Sequence, residues 1–292
     1  MQAISFYILL PFIYLLSLLP FWVMYRISDG LYYILYYLVG YRRKIVEQNL
    51  HNSFPDKTDK EIKELSKKFY SYLCDLTLET FKKITMTRKQ TMKHIKFHDT
   101  TLFEKIYAEK KSIILLMGHY GNWEWAGSSF TLQTDYQLYV IYKPLSNKHF
   151  EDLIVKTRTV FGTKLIKVHN TLRDMISNKG IISATAFIAD QTPFPDNAYW
   201  TKFLNQDTPV FTGAEKLSKK LDYPIVYIKI DRVKRGYYDI HAELLFENPK
   251  ATSENEISET FIKRLEKDII EKPEIWLWSH RRWKHKKPVP VQ

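Results

Sequence analysis

The sequence predicts an α/β fold, a largely parallel central sheet flanked by helices, with a membrane-anchoring helical segment ahead of it. Three observations carry this expectation. Dense apolar runs of strand length alternate with stretches of helical periodicity from about residue 58 to residue 271, the pattern written by a sheet buried on both faces and by the helices that cover it. No internal repeat, low-complexity tract or Pro/Gly/Ser linker interrupts the alternation, so residues 56–292 are expected to form one body. The first 55 residues are of another kind, apolar and aromatic, and read as an anchor followed by an interfacial segment. With 292 residues and 15% aromatic side chains, there is material for one large core.

From the N-terminus, residues 3–24 hold 22 positions without a charge, long enough in principle to cross a hydrocarbon layer of about 30 Å. Pro11 and Pro20 would kink such a helix, so a tilted, broken or half-embedded segment stands beside a straight span, and a pair of buried core helices is the third reading. No basic residue precedes the run and no small-residue site closes it, which argues against a removed signal peptide. Arg26, Arg42, Arg43 and Lys44 follow, and the positive-inside rule then puts the body in the cytoplasm. Residues 31–41 are apolar and tyrosine-rich, too short to span, and suit the headgroup layer.

Next, Thr58 and Glu61 form a capping box, and Ile62, Leu65, Phe69, Leu73 and Leu76 recur at helical spacing, predicting an amphipathic helix to about Lys83. Strands are predicted at 113–117, 138–142, 181–188, 225–230 and 238–245. Helices are predicted near 123–132, 148–160, 171–178, 213–221 and 254–271.

Lysine and arginine outnumber the acids by 44 to 32, a formal +12, which calls for a polyanionic partner: nucleic acid, anionic lipid or a phosphorylated substrate. The apolar N-terminus favours lipid over nucleic acid. The single cysteine, Cys74, excludes an internal disulfide and a multi-cysteine metal site, and its place in a helical pattern makes it a packing residue.

The chemistry concentrates in Gly118-His119-Tyr120-Gly121-Asn122-Trp123-Glu124, where the apolar run 113–117 gives out. In open α/β folds, reactive groups collect at such carboxyl ends of strands. The interval from His119 to Glu124 proves nothing by itself, because His51/Asp56, His94/Asp99 and His169/Asp174 repeat it. Only His119 follows a continuous apolar segment with a glycine on each side. A neutral imidazole there can take a proton from a hydroxyl, and a carboxylate on its other nitrogen fixes the tautomer. His119 is the expected base and Glu124 its expected partner. There is no Gly-x-Ser-x-Gly, dinucleotide fingerprint, phosphate loop or His-Glu-x-x-His, and too few ligands for a metal, so direct transfer to a bound hydroxyl without a cofactor is favoured.

The order of these segments resembles a known family. His119 to Glu124, then Ile141-Tyr142-Lys143-Pro144, then Ala189-Asp190-Gln191, and last Pro273-Glu274-Ile275-Trp276-Leu277-Trp278-Ser279-His280-Arg281-Arg282-Trp283-Lys284 are similar to the late-acting bacterial lipid A biosynthesis acyltransferases of the lysophospholipid acyltransferase superfamily. Arg42-Arg43-Lys44, Asn49-Leu50 and Ser53-Phe54-Pro55 resemble the segment after their anchor, and the likeness runs from about residue 1 to 287. The resemblance implies a glycerolipid acyltransferase-like fold and transfer of a fatty acyl chain from acyl carrier protein to a hydroxyl of a lipid A precursor at the cytoplasmic face of the inner membrane. It assigns His119 as base and Glu124 as orienting carboxylate. Two departures stand out. Lys143 replaces the usual arginine of a Tyr-Arg-Pro motif, keeping charge but losing the planar fork, and Phe203-Leu204-Asn205 replaces Phe-Phe-Gly.

Other candidates admit two readings each. Asp190 and Gln191 follow an apolar run and can face substrate, or Asp190 can cap the next turn. Arg158 can bind phosphate or stabilise a helix C-terminus. Trp276, Trp278 and Trp283, interleaved with Arg281, Arg282, Lys284, Lys286 and Lys287, can sit among anionic headgroups or pack in the core; the membrane is the favoured reading, with Arg281 and Arg282 toward substrate. His280 and His285 read as packing or surface residues. Against lipid A acylation stand acylation of another lysophospholipid or glycolipid and, further off, a non-catalytic membrane-surface or nucleic-acid-binding protein.

Overall fold

The computed structural model describes residues 2–195 and 198–288. Four helices come first: α1 (Gln2–Leu18), α2 (Phe21–Tyr33) continuing into a π-helical turn (Ile34–Val39), α3 (Arg43–Ser53) and α4 (Asp59–Lys82). Then follow α5 (Arg88–His94), β1 (Ile95–Phe97), α6 (Thr101–Ala108), β2 (Ile113–Met117), α7 (Trp123–Gln133), β3 (Gln137–Tyr142), α8 (Lys148–Thr159), β4 (Lys164–Lys167), α9 (Thr171–Ser177) and β5 (Ser183–Ile188). The chain closes with the hairpin β6 (Tyr199–Phe203) and β7 (Gln206–Val210), α10 (Gly213–Leu221), β8 (Ile225–Lys234), β9 (Tyr237–Phe246) and α11 (Glu256–Glu271).

Seven strands form one sheet in the order β1-β9-β8-β2-β5-β3-β4, parallel at every junction except β8 with β9. The α/β class and its mostly parallel sheet are therefore as predicted. Period-2 alternation sorts β2 between two cores: Ile113, Leu115 and Met117 join α6 and α7 on one face, while Ile114 and Leu116 join α4, α10 and α11 on the other. The capping box at Thr58 and Glu61 is present, and Cys74 is buried in α4. Strands β1 and β4 and the β6–β7 hairpin were not anticipated. The first two are short edge strands carrying Lys96, Lys164 and Lys167, and the hairpin contains Lys202, Asp207 and Pro209, none of which writes an apolar run.

The uncharged run 3–24 is not one helix. Pro20, which has no N–H to continue α1, stands at the N-cap of α2. Among the described residues no helix is long and apolar enough to cross a membrane. The corner between α1 and α2 is pinned by α4, whose Lys82 ammonium donates to the carbonyls of Ser17 (2.8 Å) and Leu19 (2.7 Å). Side chains of Ile8, Phe12, Leu15 and Trp22, with Ile34, Leu38 and Val39 of the π turn, remain exposed, whereas Met24, Tyr36 and Val46 are buried.

Candidate active site

Strand register assembles the centre of the site. In the parallel pair β2–β5, Met117 lies opposite Ile188, so two residues further along each strand His119 and Asp190 come side by side. The Asp190 carboxylate accepts three hydrogen bonds: from the His119 main-chain N–H (2.8 Å), from ring Nδ1 (2.6 Å) and from the Trp276 indole (2.8 Å). Gly118 permits this approach, since a Cβ there would stand 2.8 Å from Leu265 and 3.2 Å from Asp190 Oδ2. Gly121, at φ +63°, turns the chain into α7, and a Cβ there would meet the Ile230 carbonyl at 2.3 Å. Asn122 caps α7 by accepting from Trp125 N, and its amide donates to the buried Glu79.

Burial alone would raise the Asp190 carboxyl. The adjoining His119 ring, followed by its hydrogen bonds and that of Trp276, outweighs burial and holds the group below the ordinary range. Asp190 is thus an ionised acceptor that keeps the proton on Nδ1, leaving Nε2 with its lone pair toward the cleft. The Gln191 amide lies 3.2 Å from Nε2, and the Trp123 ring meets the imidazole edge-on at 5.0 Å.

Glu124 does not hold His119. It occupies the first turn of α7 as expected, yet that turn aims its carboxylate at α8, where Arg158 grips both oxygens, Nε at 3.0 Å and the terminal amino group closer. The expected partnership is corrected accordingly: the carboxylate on the imidazole is that of Asp190, and Glu124 belongs to a bidentate ion pair. Burial would raise Glu124, but hydrogen bonding and charge from Arg158, with Lys83 and His119 adding, keep it lowered. Lys83 donates to the Glu124 carbonyl, and burial pushes its ammonium down to about 8.

The terminal segment buttresses the reactive loop. Leu277 N–H donates to His119 O, Gly121 N–H donates to Ile275 O, and Tyr120 bridges to Trp276. Trp276 and Trp278 are fully buried, and Trp283 donates to Thr208. The favoured reading of these tryptophans as headgroup contacts is thereby overturned, because their rings complete the core beneath the site. Arg282 is also buried, with Nη2 donating to Pro209 O and with Nε and Nη1 lacking a partner among the described residues. Burial lowers its guanidinium to about 10 and Asp190 opposes that. Neither Arg282 nor the exposed Arg281 lines the cleft. Half-buried His280 faces Thr192 and is held down to about 4 by burial.

An open cleft of about 870 Å³ runs past His119, walled by Trp123, Glu124, Tyr142, Lys143, Arg158 and Gln191, with Lys83 at its floor and Lys284 at its edge. Lys143 is exposed at the rim. The Phe203-Leu204-Asn205 departure forms a tight hairpin turn in which Leu204 (φ 48°) and Asn205 (φ 64°) are both left-handed. Lys83 carries no site reading in the sequence, where its one signal is that it ends an amphipathic helix, while Trp276, read there as a headgroup or core residue, proves to be a donor to Asp190. A bound hydroxyl beside Nε2 could lose its proton there, and the cations of the cleft suit an anionic reactant.

A family model described as bacterial lipid A biosynthesis acyltransferase matches residues 1–285 of the chain. No curated protein matches it closely enough to count as a relative.

Proposed function

Since this chain belongs to the bacterial lipid A biosynthesis acyltransferase family and is an acyltransferase, we propose that it moves a fatty acyl chain from an acyl carrier protein thioester to a hydroxyl of a lipid A precursor. The acceptor oxygen attacks the thioester carbonyl as His119 Nε2 removes its proton. The tetrahedral intermediate collapses, the C–S bond breaks, and the thiolate leaves with the proton returned from the imidazolium. Asp190 fixes the tautomer and stabilises the charged ring. Gln191, now on Nε2, gives way to the acceptor. Arg158, held flat by Glu124, and Lys143 and Lys83 counter phosphate charge on the reactants. The single observation that carries the mechanism is the Asp190–His119 pair at the cleft mouth, with Nδ1 2.6 Å from carboxylate.

The N-terminal residues 1–55 serve the membrane in this reading. Exposed Phe12, Trp22, Leu38 and Val39 would enter the interface of the inner membrane lying in its plane, with the body on the cytoplasmic side. Phe6 of α1 packs on His149 and Phe150 of α8, the helix that supplies Arg158, and Phe194 at the cleft rim is 89% exposed. Both support a cleft that opens toward the lipid surface. The net charge of +12 favours anionic headgroups.

The test is transfer by purified protein in detergent, offering lipid A precursor and acyl carrier protein thioesters. His119→Ala should lower kcat by about 10²–10⁴ while circular dichroism and membrane attachment stay as in wild type. A variant transferring at the wild-type rate would remove His119 from the reaction.

A further inference from the structure

Beside the cleft lies a smaller void of about 40 Å³, between α7 and the sheet face that carries Leu115 and Met117. Its lining is apolar. Four residues, Trp123, Gly127, Val140 and Ile188, wall both the void and the cleft, so the two adjoin. On α7, Trp123, Gly127 and Phe130 fall at i, i+4 and i+7, one stripe descending about 5.4 Å per turn from the edge of His119 into the core. The stripe is hollow at its middle because Ala126 and Gly127 on the helix oppose Ala186 on β5. A Cβ on Gly127 would reach Leu138 only at 3.7 Å, so no backbone contact demands a glycine. Close-packed cores leave few gaps larger than a water molecule, and those lined wholly by apolar atoms stay dry and accept hydrocarbon.

We propose that this void is the far end of the acyl-chain site, with Gly127 as its doorway and Phe130 and Phe97 as its floor. The inference rests on the acyl-transfer reading above. The tail of the donor runs from the thioester at His119 along the α7 stripe, passes Gly127, and buries its last methylenes against the two phenylalanines. The small volume means that the void takes the end of the chain while the cleft holds the rest. Acyl length is then chosen by how many methylenes fit beyond Gly127, each contributing about fourfold in kcat/KM (about 0.8 kcal/mol).

The experiment measures kcat/KM over an ordered series of saturated acyl carrier protein thioesters for wild type, Gly127→Leu and Phe130→Ala. Gly127→Leu should shift the optimum to shorter chains, penalising longer donors by about fourfold per excluded methylene, and Phe130→Ala should shift it to longer ones. Should Phe130→Ala fail to fold, Gly127→Leu decides alone, since leucine is the better helix former. Active variants with the wild-type length profile would overturn the inference and leave the acyltransferase reading standing. So would a variant that alters preference for the chains of the acceptor and not of the donor. A wild-type protein that acylates no lipid A precursor would instead sink the underlying reading, and this inference with it.

Discussion

Two carboxylate–cation groups flank the imidazole, one buried behind it and one lining the cleft, and they are built in opposite ways. The buried group, Asp190 with Trp276 and Arg282, comes from a strand end and a terminal segment folded under it. Asp190 is 2% exposed and bonded to the imidazole. The cleft-lining group, Glu124 with Arg158 and Lys83, comes from α7, α8 and the residue that follows α4, and Arg158 is 26% exposed. One group sits on a ring nitrogen; the other lines the cleft with two cations and one carboxylate. The same residue types differ in work because a strand register places Asp190 on Nδ1, whereas a helix turn swings Glu124 away.

The sharpest way to break this division is to neutralise each carboxylate. Asp190→Asn should cost about 10²–10⁴ in kcat, because an amide neither enforces the tautomer nor stabilises the imidazolium, while Glu124→Gln should cost far less. Single-turnover rates on the purified pair would show it, and a reversal of the order would return the orienting role to Glu124. A smaller effect separates charge from shape in the cleft-lining group. Arg158→Lys keeps the charge but loses the fork on Glu124, and kcat/KM should fall about tenfold (about 1.4 kcal/mol). A variant indistinguishable from wild type would reduce Arg158 to a point charge.

The smallest effect is on pH. Arg282 is a buried cation opposed by Asp190, so Arg282→Met removes positive charge behind the dyad. Asp190, held low in the folded protein, would bind its proton more tightly, and the acid limb of kcat/KM should move to higher pH by roughly 0.5–1 unit. Stability supplied by ionised Asp190 is present at neutral pH and lost as pH falls through its folded value, so the variant should also lose stability at a higher pH on acidification. A profile superimposable on wild type would mean that Arg282 is only packing.

The sequence made β2, β5 and β8 legible by their apolar runs and β9 by its alternation, and it picked His119 out of four equivalent intervals because only His119 ends an apolar run. What it could not yield was pairing. Asp190 stands 71 positions from His119 along the chain, and only the register of two parallel strands brings them together. Trp276, Trp278 and Arg282 misled for a related reason: interleaved aromatics and cations look alike whether they coat a lipid surface or close a core, and only the ladder from Ile275 to Leu277 beside the His119 loop decides. Edge strands stayed hidden because protecting an edge with lysine erases the apolar pattern.

Helix α4 has hold of both ends of the molecule's proposed task. Through Lys82 it clasps the corner after α1; through Tyr72 it bonds the carbonyl of Gly121, through Glu79 it receives Asn122, and Lys83, just past its end, reaches Glu124. The corner after α1 and the loop that carries the imidazole thus rest on the same stretch of chain, the C-terminal half of α4 and the residue after it.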